Sequence, residues 1–306
     1  MIRSRKRPNW RQMRQKFPEK LYLRLFPFSL LLVAFEWTAR QYFYAIGRCF
    51  SCRLVFQGTA ATLALIGAFG IYHEYKSSQE ERIVRMWQTA TSPVPGNSGK
   101  IPALEFLNQR GEPLAGLGIP GAWLVGVQLD SANLVNSNLQ GAAVMEASLR
   151  SANFYSSRLQ GAMFTSANLS NANFSSVALE KTSFAKAQMA HTKFRKTVID
   201  AIFEEADLRG ANFSEAVFQM TWLSKACLKG ADFTNAIFSD DFLNSFTDAD
   251  LTGAVFTNSK GLTQSDLNRA GCAHRSPVLS GTGLHWPDNK ICKVGELSAC
   301  DRLRKM

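Results

Sequence analysis

With 306 residues, 46% of them hydrophobic, the chain can bury one or two packed cores, which excludes a fully disordered polymer. Its net charge of +11 sits at one end: residues 1–53 carry twelve Lys and Arg against Glu19 and Glu36, whereas residues 112–261 carry eleven against fourteen Asp and Glu. A nucleic-acid-binding role read from the overall charge is therefore misplaced, because the long middle of the chain is weakly acidic.

Residues 1–53 open with nine Lys and Arg by position 24, a pattern that suits anionic lipid headgroups beside apolar segments. The stretch "LFPFSLLLVAFEW" (25–37), bounded by Arg24, Glu36 and Arg40, reads as an aromatic-rich helix lying in the headgroup region. The basic region is too long for a cleavable signal peptide, and no small-residue cleavage site follows at the right distance. Residues 54–72, "LVFQGTAATLALIGAFGIY", are 19 uncharged residues. As a helix rising ~1.5 Å per residue they would reach about 28 Å, close to a bilayer's hydrocarbon thickness, so a transmembrane helix is expected here. A single span with basic residues ahead of it puts the N-terminus in the cytoplasm and the rest beyond the membrane. Residues 73–100 begin as a charged helix and end in "TATSPVPGNSGK", a flexible linker.

From Leu124 an apolar residue recurs every fifth position through Ile199 without exception, sixteen in a row; at 46% apolar composition that arises by chance roughly four times in a million. Two residues ahead of each such centre stands a small side chain, as in Ala122, Ala132, Ser137, Ala152, Ala172 and Thr182. Neither the 3.6-residue helix nor the two-residue strand has this period. A short extended segment plus a turn does: the centre and the residue two before it point inward together, and the remaining positions form the corners. Stacked coils then pair their backbones at ~4.8 Å, and large beside small fills a narrow interior. The core so defined contains Leu134, Leu139, Leu149, Phe154, Leu159, Phe164, Leu169, Phe174, Leu179, Phe184, Phe194, Phe203, Leu208, Phe213, Phe218, Leu228, Phe233, Phe238, Leu251 and Phe256. The count slips twice, by one residue between Ile199 and Phe203 and by three between Phe238 and Phe246; each predicts a bulge or altered corner, the second a surface feature. Open coil ends need covers. Residues 101–116 fit a first cap, and "GLTQSDLNRAG" (261–271) a second, with Thr263 as N-cap, Leu267 on the apolar face and Gly271 as the stop.

"ANLSNANF", "GANFSEAVF", "GADFTNAIF" and "DADLTGAVF" resemble the A(D/N)LXX unit of pentapeptide-repeat proteins, over residues ~112–261. The resemblance implies an all-β solenoid: a right-handed quadrilateral parallel β-helix with four units per coil and short helical caps, here preceded by an N-terminal membrane helix. The flanks "MWQ…IPALEFLNQRGEPLAG" and "GLTQSDLNRA" further resemble bacterial members anchored by a membrane helix. The domain plan is thus a basic and aromatic membrane-surface segment (1–53), a transmembrane helix (54–72), a charged helix and linker (73–100), a cap (101–116), the β-helix (117–261), and a cap helix with a Cys-containing tail (262–306).

Chemistry is sparse. His73, His191, His274 and His285 form no metal or catalytic spacing, and no cofactor or metal site is expected. Cys49 and Cys52 have CxxC spacing without a second pair. Cys272, Cys292 and Cys300 suit either free thiols or, beyond the cytoplasm, a Cys292–Cys300 disulfide. The expected role is a non-enzymatic, membrane-anchored scaffold for protein–protein interaction, with membrane lipid and a protein as partners and neither nucleic acid nor a small-molecule substrate. Lys193, Arg195 and Lys196, which depart from the repeat's consensus, are the expected contact residues. The alternative, implied by the family, is mimicry of duplex DNA toward a topoisomerase, which requires a strongly acidic rod.

Overall fold

A computed structural model describes residues 50–93, 99–242, 245–291 and 298–303. The basic and aromatic segment before residue 50, the Pro/Gly/Ser core of the linker (94–98) and tail residues 292–297 lie outside them. The chain divides into two compact units, Met1–Ser77 and Ser78–Met306.

In the first unit the described chain is helical, the start of α1 (Phe50–Ala90). Its apolar side chains Leu63, Leu65, Ile66 and Phe69 are exposed. Among the described residues no helix is long and apolar enough to cross a membrane. The span expected at 54–72 is therefore not found there.

The second unit begins with the rest of α1, which carries the charged segment 78–90 as a continuation of one helix rather than a separate one. Ala90 is buried, and Ile83, Met86 and Trp87 pack against the core. The Arg82 guanidinium lies 4.5 Å from the centre of the Phe106 ring, a cation–π contact with the helix that follows. That helix, α2 (Lys100–Gln109), buries Ala103, Leu104 and Leu107 on the first coil. Its polar side chains serve the coil's open edge: Glu105 accepts from the Gln128 amide at 2.9 Å, and Asn108 donates to the Asp130 carbonyl at 3.0 Å. Both groups would otherwise be edge groups with no coil beneath them.

Above this cap the chain winds as a parallel β-helix. Residues twenty apart face one another, as in Trp123↔Ala143↔Met163 and Asn133↔Asn153↔Asn173. Most five-residue units close with a tight turn in which the centre's carbonyl accepts from the amide three residues on, for example Leu124 from Val127 at 3.2 Å. The second turn residue is left-handed (Ser131 φ 59°, Gly126 φ 74°). A positive φ at that position is the signature of a type II turn. Extended residues plus such a turn account for the period of five. Asn or Asp before the centre caps the turn, with the side-chain oxygen accepting from the amide two residues later, as in Asn173 from Ser175 (3.1 Å) and Asp232 from Thr234 (2.9 Å).

The twenty core residues named above are each at most 3% exposed. Phe154, Phe174, Phe194, Phe213, Phe233 and Phe256 form one column of stacked rings, with centroids 4.6–5.3 Å apart. Phe164, Phe184 and Phe203 stack on the opposite side and meet the first column edge-on. Both arrangements suit the ring quadrupole.

At the first slip, β1 (Ala178–Ser183) and β2 (Val198–Ile202) run through a corner as strands, and their register shifts between Glu180 and Thr182. β3 (Val217–Phe218) and β4 (Ile237–Phe238) extend the same parallel sheet. The second slip lengthens the repeat to 23 residues, as in Cys227↔Asp250. It is not wholly a surface feature. Asp240 and Asp241 are exposed, but Phe242 turns inward, its ring 4.7 Å from Phe238, because burial rewards an extra Phe near the tube's end.

The second cap is α3 (Gln264–Arg269), which buries Leu267; Thr263 and Asp266 form a reciprocal capping box. Gly271 lies beyond the helix, where its amide donates to Ala249 at 2.9 Å. After a 3-10 turn (Asp288–Lys290) the last described element is α4 (Ala299–Leu303).

Candidate functional site

The residue before each centre points outward, so every side of the coil carries a column of such residues repeating about every twenty. One column is polar: Asn133, Asn153, Asn173, Lys193, Asn212 and Asp232, with Asn173 donating to Asn153 at 3.0 Å. Lys193 is exposed in this ladder. Arg195 and Lys196 both reach Glu215 in the next coil, at 2.6 and 3.6 Å. Arg195's hydrogen bond holds the Glu215 carboxyl below its usual range. The three expected contact residues are thus neighbours, but two of them serve a coil-to-coil ion pair. Asp130 pairs with Arg150 at 2.7 Å. Burial pushes the Asp130 carboxyl up, and hydrogen bonds from Arg150 and Ser148 outweigh it, leaving the group below its usual range.

Two adjacent sides differ. One column reads Trp123, Ala143, Met163, Ser183, Ile202, Trp222; the next includes Val198, Val217 and Ile237 of the β1–β4 sheet. Where these sides meet, Val198, Ile202, Met220, Trp222 and Ile237 are all exposed, Trp222 by 51%. A contiguous exposed apolar patch is the usual mark of an interaction site. Counting in fives hides it, because polar and apolar outward residues alternate around the coil. Following one column from coil to coil, in steps of twenty with one step of nineteen at the first slip, exposes it.

A different side is covered by the chain's own end. Cys227, an outward residue, is joined to Cys300 of α4, with Cα atoms 4.7 Å apart. This corrects the expected Cys292–Cys300 pairing; the partner lies 73 residues away, on the solenoid wall. Cys272 is disulfide-bonded as well. Next to Cys300, Asp301 accepts from Ser298, capping α4, and meets His274 Nε2 at 2.8 Å. The His274 bond, helped by the Ser298 amide, lowers the Asp301 carboxyl to about 2. A depressed carboxyl contributes stability that is complete above its ordinary value of 3.8 and is lost as pH falls toward 2. The protection of amides 298–303, taken relative to their intrinsic exchange rates, is therefore expected to fall over that interval, and Asp301→Asn to abolish that fall; an unchanged profile in the variant contradicts this.

Lys186, Glu205, Asp207, Arg209, Cys227, Cys300 and Leu303 frame a groove of about 440 Å³ beside α4. Its charges are matched: Arg209 with Asp207 at 2.5 Å and Lys186 with Glu205 at 3.8 Å. Among the described residues no group of three or more His, Cys, Asp and Glu is placed to hold a metal ion.

A family model described as pentapeptide repeats matches in eight copies, over residues 121–150, 132–171, 162–200 and 201–240. Among solved structures, a pentapeptide repeat protein from the Arabidopsis thaliana thylakoid lumen is 24% identical, with 37% of this chain and 71% of that one covered and a TM-score of 0.27. HetL, involved in heterocyst differentiation regulation in the cyanobacterium Nostoc sp., is 22% identical over 58% of this chain and 86% of its own, at 0.22. QnrB1, a plasmid-mediated fluoroquinolone resistance protein, is 14% identical over 57% and 86%, at 0.30. No curated protein matches the chain.

Proposed function

We propose that this chain, whose residues 121–240 match the pentapeptide-repeat model, is a non-enzymatic scaffold that binds another protein through the apolar edge of its β-helix. The observation that carries this reading is the patch of Val198, Ile202, Met220, Trp222 and Ile237, exposed together where two sides of the coil meet. Trp and Met at the centre of a patch are what protein interfaces select, and a rigid stack presents them at a small ordering cost. The partner is a protein with an apolar, aromatic-rich surface.

The scaffold is held at a membrane by its N-terminal segment. Support comes from the sequence: the basic run, the aromatic stretch at 25–37 and the uncharged residues 54–72. Disulfide bonding of Cys227 to Cys300 and of Cys272 supports a repeat domain in an oxidising compartment, with the basic N-terminus on the cytoplasmic side. DNA mimicry is the weaker reading, since Asp130, Asp207 and Glu215 are neutralised by arginines on the rod itself.

A photo-crosslinking residue at Met220, in cells, is expected to capture a protein, and the same residue at Lys229 is not. Trp222→Arg together with Ile237→Asp removes the adduct while the melting temperature stays within a few degrees. Equal capture at both positions, or capture that survives the double substitution, overturns the reading. Recovery of the full chain in the soluble fraction without detergent overturns the anchoring.

A further inference from the structure

The outward column that contains Cys227 runs Gln128, Ser148, Asn168, Gln188, Asp207, Cys227, Asp250. Gln188 is exposed, as an outward residue should be, whereas Cys227 and Asp250 are each 1% exposed. Near Cys227 the cover includes the chain's own terminus: Ser298, Ala299 and Cys300 are all at least 93% buried. Among the described residues, one covalent bond, Cys227–Cys300, and one surface ion pair, His274–Asp301, hold this short piece to the wall. An ion pair with a half-exposed His274 is weak by itself. A five-residue helix is likewise unstable without tertiary support. The disulfide is therefore what keeps this segment in place; both its cysteines border the groove, and at 1% and 7% exposed they meet a second thiol when residues 298–303 fray.

We infer that residues 298–303 form a thiol-gated strap over this side of the solenoid. A dithiol reductant opens it. One reductant thiolate attacks a sulfur of the Cys227–Cys300 bond, forming a mixed disulfide and releasing the other cysteine as a thiol. The reductant's second thiolate then closes its own ring disulfide and frees the remaining cysteine. The reductant loses two electrons and two protons, and Cys227 and Cys300 each gain a hydrogen. With the bond gone, the strap leaves and Cys227, with its neighbours Asp207 and Asp250, becomes an accessible surface. The coils stay wound, because their core is the Phe and Leu interior and includes neither cysteine.

The test uses the full-length chain in detergent, comparing the oxidised protein with the Cys300→Ser variant, which leaves the Cys272 bond intact, and with protein treated with dithiothreitol. Amide exchange at 298–303 is expected to rise at least tenfold in both the variant and the reduced protein, with iodoacetamide labelling of Cys227, while exchange across 134–200 changes less than twofold. Three results would overturn the inference: a strap that keeps its protection within twofold, coils that lose theirs along with it, or Cys227 and Cys300 of the oxidised, unsubstituted chain that alkylate without any reductant.

Discussion

Phe194→Ala is expected to destabilise the solenoid by about 3–5 kcal/mol, the range for emptying a fully buried aromatic site. Phe194 is 0% exposed. Its ring stacks on Phe174 at 5.3 Å and on Phe213 at 4.9 Å, and meets Phe184 and Phe203 edge-on at 6.3 and 5.7 Å. Removing it empties a slot shared by three coils whose backbones are held in ladder register, so the cavity has little room to collapse. Lys193→Ala, one residue away on the outside, should change stability by less than about 0.5 kcal/mol. Urea denaturation of the two variants checks both values; equal effects would mean that the inward and outward assignments are wrong.

The second large effect is expected at Gly261, where the last full coil turns into its cap. Its φ is +79°, and a Cβ there would sit 1.8 Å from the Phe238 carbonyl oxygen. That oxygen is backbone in the coil beneath and has no rotamer by which to escape. Gly261→Ala therefore combines a left-handed conformation with an overlap that only displacement of the cap relieves, a loss of about 2–4 kcal/mol. The damage should be local at first. Exchange across 246–270 is expected to rise while residues 134–200 keep their protection, as nearest-neighbour stacking predicts. Gly230, left-handed at 67° but with open space around it, is the control: Gly230→Ala should cost about 1 kcal/mol.

The interior was legible because it obeys one count. Leu124 to Ile199 repeat by five, and a period that fits neither regular backbone leaves little else to infer than stacked turns. Thr263 as a cap and Leu267 as a buried anchor were legible for a similar reason, since capping chemistry is local. What escaped depends on distance along the chain. The apolar edge joins Val198 to Val217, Val217 to Ile237 and Ile202 to Trp222, which become neighbours only once the coil holds four units. The partner of Cys300 is 73 residues back, and no spacing rule reaches that far. Phe242 escaped for the opposite reason: three extra residues around two Asp read as a polar loop, and only the space beside Phe238 decides that the ring turns inward. Asn and Asp ahead of the centre do more than form corners: their oxygens cap the turns, which is why short acceptors recur there.

The most direct test of the four-unit coil is a distance. Residues 133, 153, 173, 193, 212 and 232 occupy successive coils of one column. Five steps of ~4.8 Å place the first and last backbones about 24 Å apart. Spin labels attached through ketone side chains at 133 and 232, measured by double electron–electron resonance in the full chain, should give a distribution centred within a few ångströms of that value. A centre beyond about 40 Å, or no defined distance at all, would contradict the winding on which both the apolar edge and the strap depend.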